Sequence, residues 1–210
     1  MLYILVPLFV WLFSLTVAIT VHEVAHAYMA DRLGDPTPRL NKRLSLNPLA
    51  HYDPVGSTLL LVLSILNVFG FGIMPFGWAK PVEFDPYNLK DPRKDSALIS
   101  LAGPISNLIL ALLVAVLTRF VPFLAVLAIP FIKLNVSLAV FNLIPIHPLD
   151  GSKILIWLLP KKYSYKAEVF LSQFGTIILF MLIFTSFNGS SIISKLITPV
   201  VNFFLYFLIP

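Results

Sequence analysis

Not one of the 210 residues is a cysteine. That excludes a disulfide framework and any thiolate metal site, so a metal held by this chain must take its ligands from His, Asp and Glu. Charge is scarce too: 12% of residues are charged against 58% hydrophobic, and the mean hydropathy is +0.90. A soluble domain of this length cannot hide so much apolar surface. The composition leaves an all-α, polytopic helical membrane protein, with its backbone polar groups satisfied inside helices. The net charge of +5 does not point to nucleic acid, because the lysines and arginines cluster in loops between apolar runs, as membrane topology requires. An internal repeat, a coiled-coil heptad, a low-complexity tail and a soluble accessory domain are also missing. Residues 1–210 read as a single transmembrane domain. The N-terminus lacks the basic region of a signal peptide, so the first apolar run reads as a retained span.

What is present starts with that run. No charged residue occurs from Leu2 to Thr20, long enough to cross a hydrocarbon core that takes about 20 helical residues. The helix should continue through His22-Glu23-Val24-Ala25-His26 to about Leu33, where Gly34-Asp35-Pro36 supplies a C-cap glycine and a proline stop. Residues four apart share a helix face, so His22 and His26 can offer two imidazoles to one ion. Glu23 lies beside the first of them, where it can reach a water without ligating the metal. This is the zincin arrangement, in which two histidines hold Zn2+ and the glutamate is the general base. The bland alternative is two packed, hydrogen-bonded histidines. Three polar groups in an apolar row nevertheless need neutralising, and intramembrane ionisable groups are costly and usually functional.

Further along, residues 35–53 form a polar, proline-punctuated loop with room for short strands, ending near His51. Residues 54–76 are apolar but broken by Asn67, Gly70, Gly72 and Pro75. A second polar loop follows, whose centre, Trp78 to Phe84, reads as extended because Pro81 bars a helix. Ala97 to Thr118 is a clear span containing the buried amide of Asn107, which needs a partner. Residues 121–130, flanked by Pro122 and Pro130, are apolar linker or an extension of that span. Phe131 to Leu159 is a helix broken by Pro145 and Pro148; irregular backbone at membrane depth is tolerated only in protein or beside a wet cavity. Phe170 to Phe187 and Ile192 to Leu208 are two more spans, with Asn188-Gly189-Ser190-Ser191 as the turn between them.

The basic residues arbitrate residues 54–76. A full crossing divides them almost evenly between the two faces. An in-and-out path gathers the three loops on one side and leaves only Arg119, Lys133 and Lys195 on the other. The positive-inside rule prefers the second path. The expectation is about five full transmembrane helices plus a re-entrant hairpin, with the N-terminus outside and the His22–His26 end toward the cytoplasm.

A catalytic zinc usually has three protein ligands and one water. Of the acids, Asp31, Asp35, Asp53, Glu83, Asp85, Asp91 and Asp95 read as solvated or capping charges, and Glu168 as a snorkelling interface charge. Asp150 remains, embedded in the broken apolar helix, where a bound cation is the simplest thing that would keep it ionised. Its alternative is an N-cap on the helix starting at Gly151. His147 and His51 are rival ligands.

The stretches HEVAH at 22–26, AGPISN at 102–107 and FNLIPIHPLDG at 141–151 together resemble the site-2 protease family, the intramembrane zinc metalloproteases. RLSLNPLAHYDPVGS at 43–57 and GWAKPV at 77–82 resemble its small branch without a PDZ or CBS domain. The resemblance implies one zinc held by His22, His26 and Asp150, with Glu23 activating the water. It implies that Asn142 positions substrate or stabilises the oxyanion, and that Asn107 supports helix packing. The implied partners are the lipid bilayer and a transmembrane or signal-peptide-like substrate helix, and the implied location is a prokaryotic cell membrane. Two other readings stay open: a membrane zincin of another family with Glu168 as third ligand, and a non-catalytic ion-binding protein or transporter.

Overall fold

In the computed structural model the described residues are 2–71, 76–187 and 189–209, with side chains described from residue 5 onward. Eight helices carry the fold: α1 (Leu2–Leu33), α2 (Thr37–Leu40), α3 (Gly56–Val68), α4 (Pro92–Phe120), α5 (Ala125–Asn142), α6 (Gly151–Leu158), α7 (Lys161–Phe184) and α8 (Ile192–Leu208). Four of them are long and apolar enough to cross a membrane: α1, α4, α5 with the turn before it, and α7. The 17 residues of α8 rise about 25 Å, at the lower end of what spans. The five expected spans are therefore four long helices and one short one. Large apolar side chains such as Phe9, Leu113, Phe120 and Val126 stand exposed on the outside, the surface a lipid environment covers.

The first helix ends where the glycine allows it. Gly34 takes φ +110°, and the Asp35 N–H closes on the Ala30 carbonyl at 3.0 Å, satisfying an orphan carbonyl at the helix end. Small residues set the packing: Ala18, Ala27 and Ala30 on α1 have no exposed surface, so α1 lies close against α4 and α5. Ala111 and Ala115 of α4 meet Ala128, Ile132, Val136 and Val140 of α5 and Val201 of α8 in a continuous core.

Three expectations need correction. The loop over 35–53 holds no strand; it forms α2 and a 3-10 turn over Pro48–His51. Residues 125–130 are not linker but the first turns of α5, with Pro130 inside the helix; a missing N–H is tolerated there because neighbouring helices re-satisfy the backbone. Helix α7 begins at Lys161, well before Phe170, because nothing between Pro160 and Phe170 breaks it. The expected turn at 188–191 is a small hairpin in which Ser186–Phe187 pairs with Ser190–Ser191; Asn188 lies outside the described residues.

The two ends of residues 54–76 lie side by side. Helix α3 has 13 residues and rises about 20 Å, short of a ~30 Å core. Beyond it the chain is back at its starting point: Lys80 N–H donates to the His51 carbonyl at 2.9 Å, and Ser57 Oγ to the Trp78 carbonyl at 3.2 Å. A Cβ at Gly77 would lie 2.3 Å from the Gly56 carbonyl oxygen, so only glycine permits that approach. Gly72 and Pro75, the expected breaks at the apex, lie outside the described residues. Residues 78–84 are without helix or ladder, as expected of an extended segment.

Direct bonds tie all three basic loops together. Asp35, without exposed surface, accepts from the Thr37 hydroxyl (2.6 Å), the Asn88 amide (2.8 Å) and the Asp85 N–H (2.7 Å). Arg93 caps the end of α6, donating to the Ile156 and Trp157 carbonyls at 2.9 and 2.7 Å and to that of Leu159. Asp35, read from sequence as a solvated or capping charge, is thus a buried tie between loops. Cysteines placed at the exposed Leu40 and Tyr87 should be labelled by an impermeant maleimide from the same face; labelling from opposite faces would refute the in-and-out path.

Burial works against ionising Asp35, but its hydrogen bonds with Thr37, Asn88 and the backbone of Asp85 outweigh it and hold the carboxyl below its ordinary value of 3.8. A carboxyl favoured as the anion in the fold stabilises fully above the unfolded value of about 4, and that contribution is lost as pH falls through the lower folded value. The melting-temperature gap between the natural protein and Asp35→Asn should be widest near neutrality and shrink below pH about 4. A gap that does not change with pH would contradict this role.

Candidate metal centre

Helix α1 brings His22 and His26 to one face, and both are buried against α4. Their outer ring nitrogens are committed. His22 Nδ1 lies 2.7 Å from Asn107 Oδ1, and His26 Nδ1 lies 2.7 Å from the Ile99 carbonyl. A carbonyl only accepts, so His26 carries its proton on Nδ1. Asn107 also presents an oxygen to His22, because its Nδ2 donates to the Ala18 carbonyl and to Asn135 Oδ1, each at 3.0 Å. Asn135 is fixed in turn by donation to the Phe131 carbonyl at 3.0 Å. The chain Phe131–Asn135–Asn107–His22 thus sets the tautomer, and in neutral rings both Nε2 atoms are left as acceptors.

Those two Nε2 atoms face each other at 3.0 Å. Asp150 adds a third acceptor, its Oδ2 3.2 Å from His22 Nε2 and 3.3 Å from His26 Nε2. That oxygen is buried and has no hydrogen-bond partner. Among the described residues His22, His26 and Asp150 form one group that could hold a metal ion, with ligand atoms within 4.8 Å of one another. Three converging acceptors repel unless a positive charge, a metal ion or a proton, sits among them. Two imidazoles and one carboxylate are also the usual protein donor set of a catalytic zinc. The donors present therefore fit the ion.

Local backbone explains how the three meet. The broken stretch Leu143–Leu149 turns the chain between α5 and α6, and Asp150 takes helical backbone angles (φ −56°, ψ −37°) without capping α6 by its side chain. The N-cap alternative for Asp150 therefore does not hold. Gly103 of α4 lets the imidazoles in: a Cβ there would lie 2.4 Å from His26 Nε2.

Glu23, next to His22 on α1, turns its Oε2 toward the returning segment and accepts from the Val82 N–H at 3.2 Å. Other residues singled out lie away from the cluster. Glu168 pairs with Lys153 at 3.7 Å and is half exposed. His51 Nε2 meets the Ser45 carbonyl at 2.8 Å. His147 is not among the grouped ligands. Asn142 Nδ2 donates to the Leu138 carbonyl of its own helix at 3.0 Å and makes no hydrogen bond to the cluster. Sequence reasoning missed Asn135, although a lone amide in an apolar span was the signal.

Comparison with known proteins agrees with this geometry. The model of peptidase family M50 matches residues 119–182, the part that contains Asn142 and Asp150. YwhC of Bacillus subtilis is 36% identical over 196 residues, covering 86% of this chain and 82% of YwhC. Rip2 of Mycolicibacterium smegmatis is 39% identical over 146 residues, 67% of this chain and 52% of Rip2. MJ0392 of Methanocaldococcus jannaschii is 28% identical over 209 residues, 95% of this chain and 47% of MJ0392. All three carry "zinc metalloprotease" in their names. No solved structure matches the chain significantly. With YwhC related across most of both chains and the M50 model on the Asp150 segment, the chain belongs to peptidase family M50, the site-2 proteases, and is an integral membrane zinc metalloprotease.

Proposed function

We propose that this protease cuts transmembrane or signal-peptide-like helices of membrane proteins, with His22, His26 and Asp150 holding the zinc and Glu23 as general base. The observation that carries the reading is the convergence of His22 Nε2, His26 Nε2 and Asp150 Oδ2 at one buried point, beside a glutamate on the same turn of α1 as His22. Zinc, when bound there, supplies Lewis-acid polarisation and lowers the pKa of water. Glu23 takes a proton from the attacking water and returns it to the leaving amine, as general base and then acid. Asn107 and the Ile99 carbonyl keep the imidazoles in the tautomer that points lone pairs inward. Asn142 would leave the Leu138 carbonyl to orient the substrate.

A helical peptide bond is shielded, so the substrate must be locally unwound. Segment 78–84 is the element to receive it: an extended stretch lying on Glu23, able to add a strand to the unwound stretch. Residues 1–210 act as one protease domain, in a prokaryotic cell membrane, with the basic loop face and the water path toward the cytoplasm.

Ala at His22, His26 or Asp150 should each remove stoichiometric zinc from purified protein, whereas Glu168→Ala should keep it; zinc loss at Glu168 alone would move the third ligand there. Glu23→Gln should keep zinc and lower cleavage of a transmembrane peptide by about 10²-fold or more; retained proteolysis would refute the general-base role. Val82→Pro deletes the donor on segment 78–84 and should slow cleavage of a helical substrate about tenfold or more with zinc content unchanged. Unaltered turnover in that variant removes the strand-addition idea.

A further inference from the structure

One peptide group is held between a buried cation and the general base. The Val82 N–H reaches Glu23 Oε2 at 3.2 Å, and the carbonyl of the same peptide, that of Pro81, accepts from Arg43 Nη2 at 3.4 Å. Arg43 is 5% exposed and has no carboxylate within ion-pair distance among the described residues. Its other terminal nitrogen donates to the Ala50 carbonyl. An unpaired buried guanidinium is costly, and the hydrogen bonds this one makes go to two backbone carbonyls on separate segments.

The carbonyl and N–H of a trans peptide point in opposite directions. Anchoring the Pro81 oxygen on Arg43 therefore aims the Val82 N–H at Glu23. Pro81 has no N–H of its own, so the Arg43 edge of the segment lacks a donor at that position and is a poor place for a second strand. The edge facing α1 is the one left to pair. There, Lys80 N–H is taken by the His51 carbonyl, and Val82 N–H rests on the base.

We propose that Arg43 is a positioning residue that fixes the Pro81–Val82 peptide so that its N–H passes from Glu23 to a backbone carbonyl of the unwound substrate. The inference rests on the strand-addition reading above and deepens it. While Val82 holds Glu23, one oxygen of the base is engaged. An extended substrate entering between the segment and α1 takes over that donor and releases the oxygen for the water proton. Lysine cannot replace Arg43, because one ammonium does not reproduce a planar fork spanning two carbonyls.

The test is a double-mutant cycle on full-length protein in bicelles, with a fluorogenic transmembrane peptide as substrate and zinc content and melting temperature recorded for every variant. Arg43→Gln and Arg43→Lys should each keep one zinc and lower kcat/KM about ten- to a hundredfold. Arg43→Gln combined with Val82→Pro should be no slower than Val82→Pro alone within about threefold, because both changes act through one peptide group. Multiplying effects, with Val82→Pro impaired, would overturn the role of Arg43 and leave strand addition standing. An inert Val82→Pro would sink strand addition and this inference with it. Zinc loss in both Arg43 variants would make the residue structural and also overturn the proposal.

Discussion

Mutual repulsion among three acceptors is the constraint around which this molecule is arranged. His22 Nε2, His26 Nε2 and Asp150 Oδ2 lie 3.0 to 3.3 Å apart in a buried place where a lone pair cannot turn to water. Any relaxation that rotated an imidazole would break its outer bond to Asn107 or to Ile99. The helices are therefore placed so that relief comes from a positive charge at that point, a metal ion or a proton on an imidazole. Helix α1 supplies two acceptors through its own period, α4 supplies the bonds that lock them, α5 locks the lock through Asn135, and the start of α6 brings the third. Small residues make this possible. Gly103 admits the imidazoles, and Ala18, Ala27 and Ala30 bring α1 close enough for Asn107 to reach the Ala18 carbonyl.

Outside the lipid-facing core, the buried Asp35 and Arg43 and the half-buried Arg93 do the complementary work. Asp35 binds the first loop to the second, Arg93 binds the second to the end of α6, and Arg43 binds the first to the extended segment. Each satisfies backbone groups that the loops would otherwise leave unmade, which is what buried polar groups must do. The consequence for the site is registration. Glu23 belongs to a long rigid helix, but its partner Val82 belongs to a loop, and the loop is held to the helix bundle by these ties. On the opposite side, Arg119 meets the Phe207 carbonyl at 3.5 Å, keeping that end of α4 beside the end of α8.

The sequence made the long elements and the members of the candidate metal cluster readable for a common reason: each is local or strongly patterned. A run without charge marks a span, an i, i+4 histidine pair marks a shared face, and an acid stranded in a broken apolar helix marks a buried charge in need of a partner. Basic residues in three loops foretold that residues 54–76 return, since the charge distribution is a property of whole faces and survives ignorance of the packing. Other features escaped because they depend on tertiary contacts. Nothing in a lone Asn135 says that it orients Asn107, and Asp35 resembles any capping acid until Asn88 and Asp85 are folded onto it. Pro130 misled because a proline ends a helix in water but not between packed neighbours in a membrane.

The depth of the centre follows from two independent helices. From His26 to Leu33, α1 rises about 10 Å at 1.5 Å per residue. From Gly151 to Leu158, α6 rises a similar amount, about 11 Å by the same measure, and its far end is the one Arg93 caps. Both helices end at the face where the basic loops are tied together, so His26 and Gly151 each lie about 10 Å in from that face along their helices. The break between α5 and α6, Leu143–Leu149, leads directly into Asp150. A substrate helix then needs to lose its hydrogen bonds only near one end, where the last carbonyls are already without partners. Unwinding a helix end costs far less than opening its middle, because end residues leave without a new nucleus having to form. On the proposed function, a zinc site this close to the ends of α1 and α6 would make hydrolysis of a membrane-embedded helix energetically accessible.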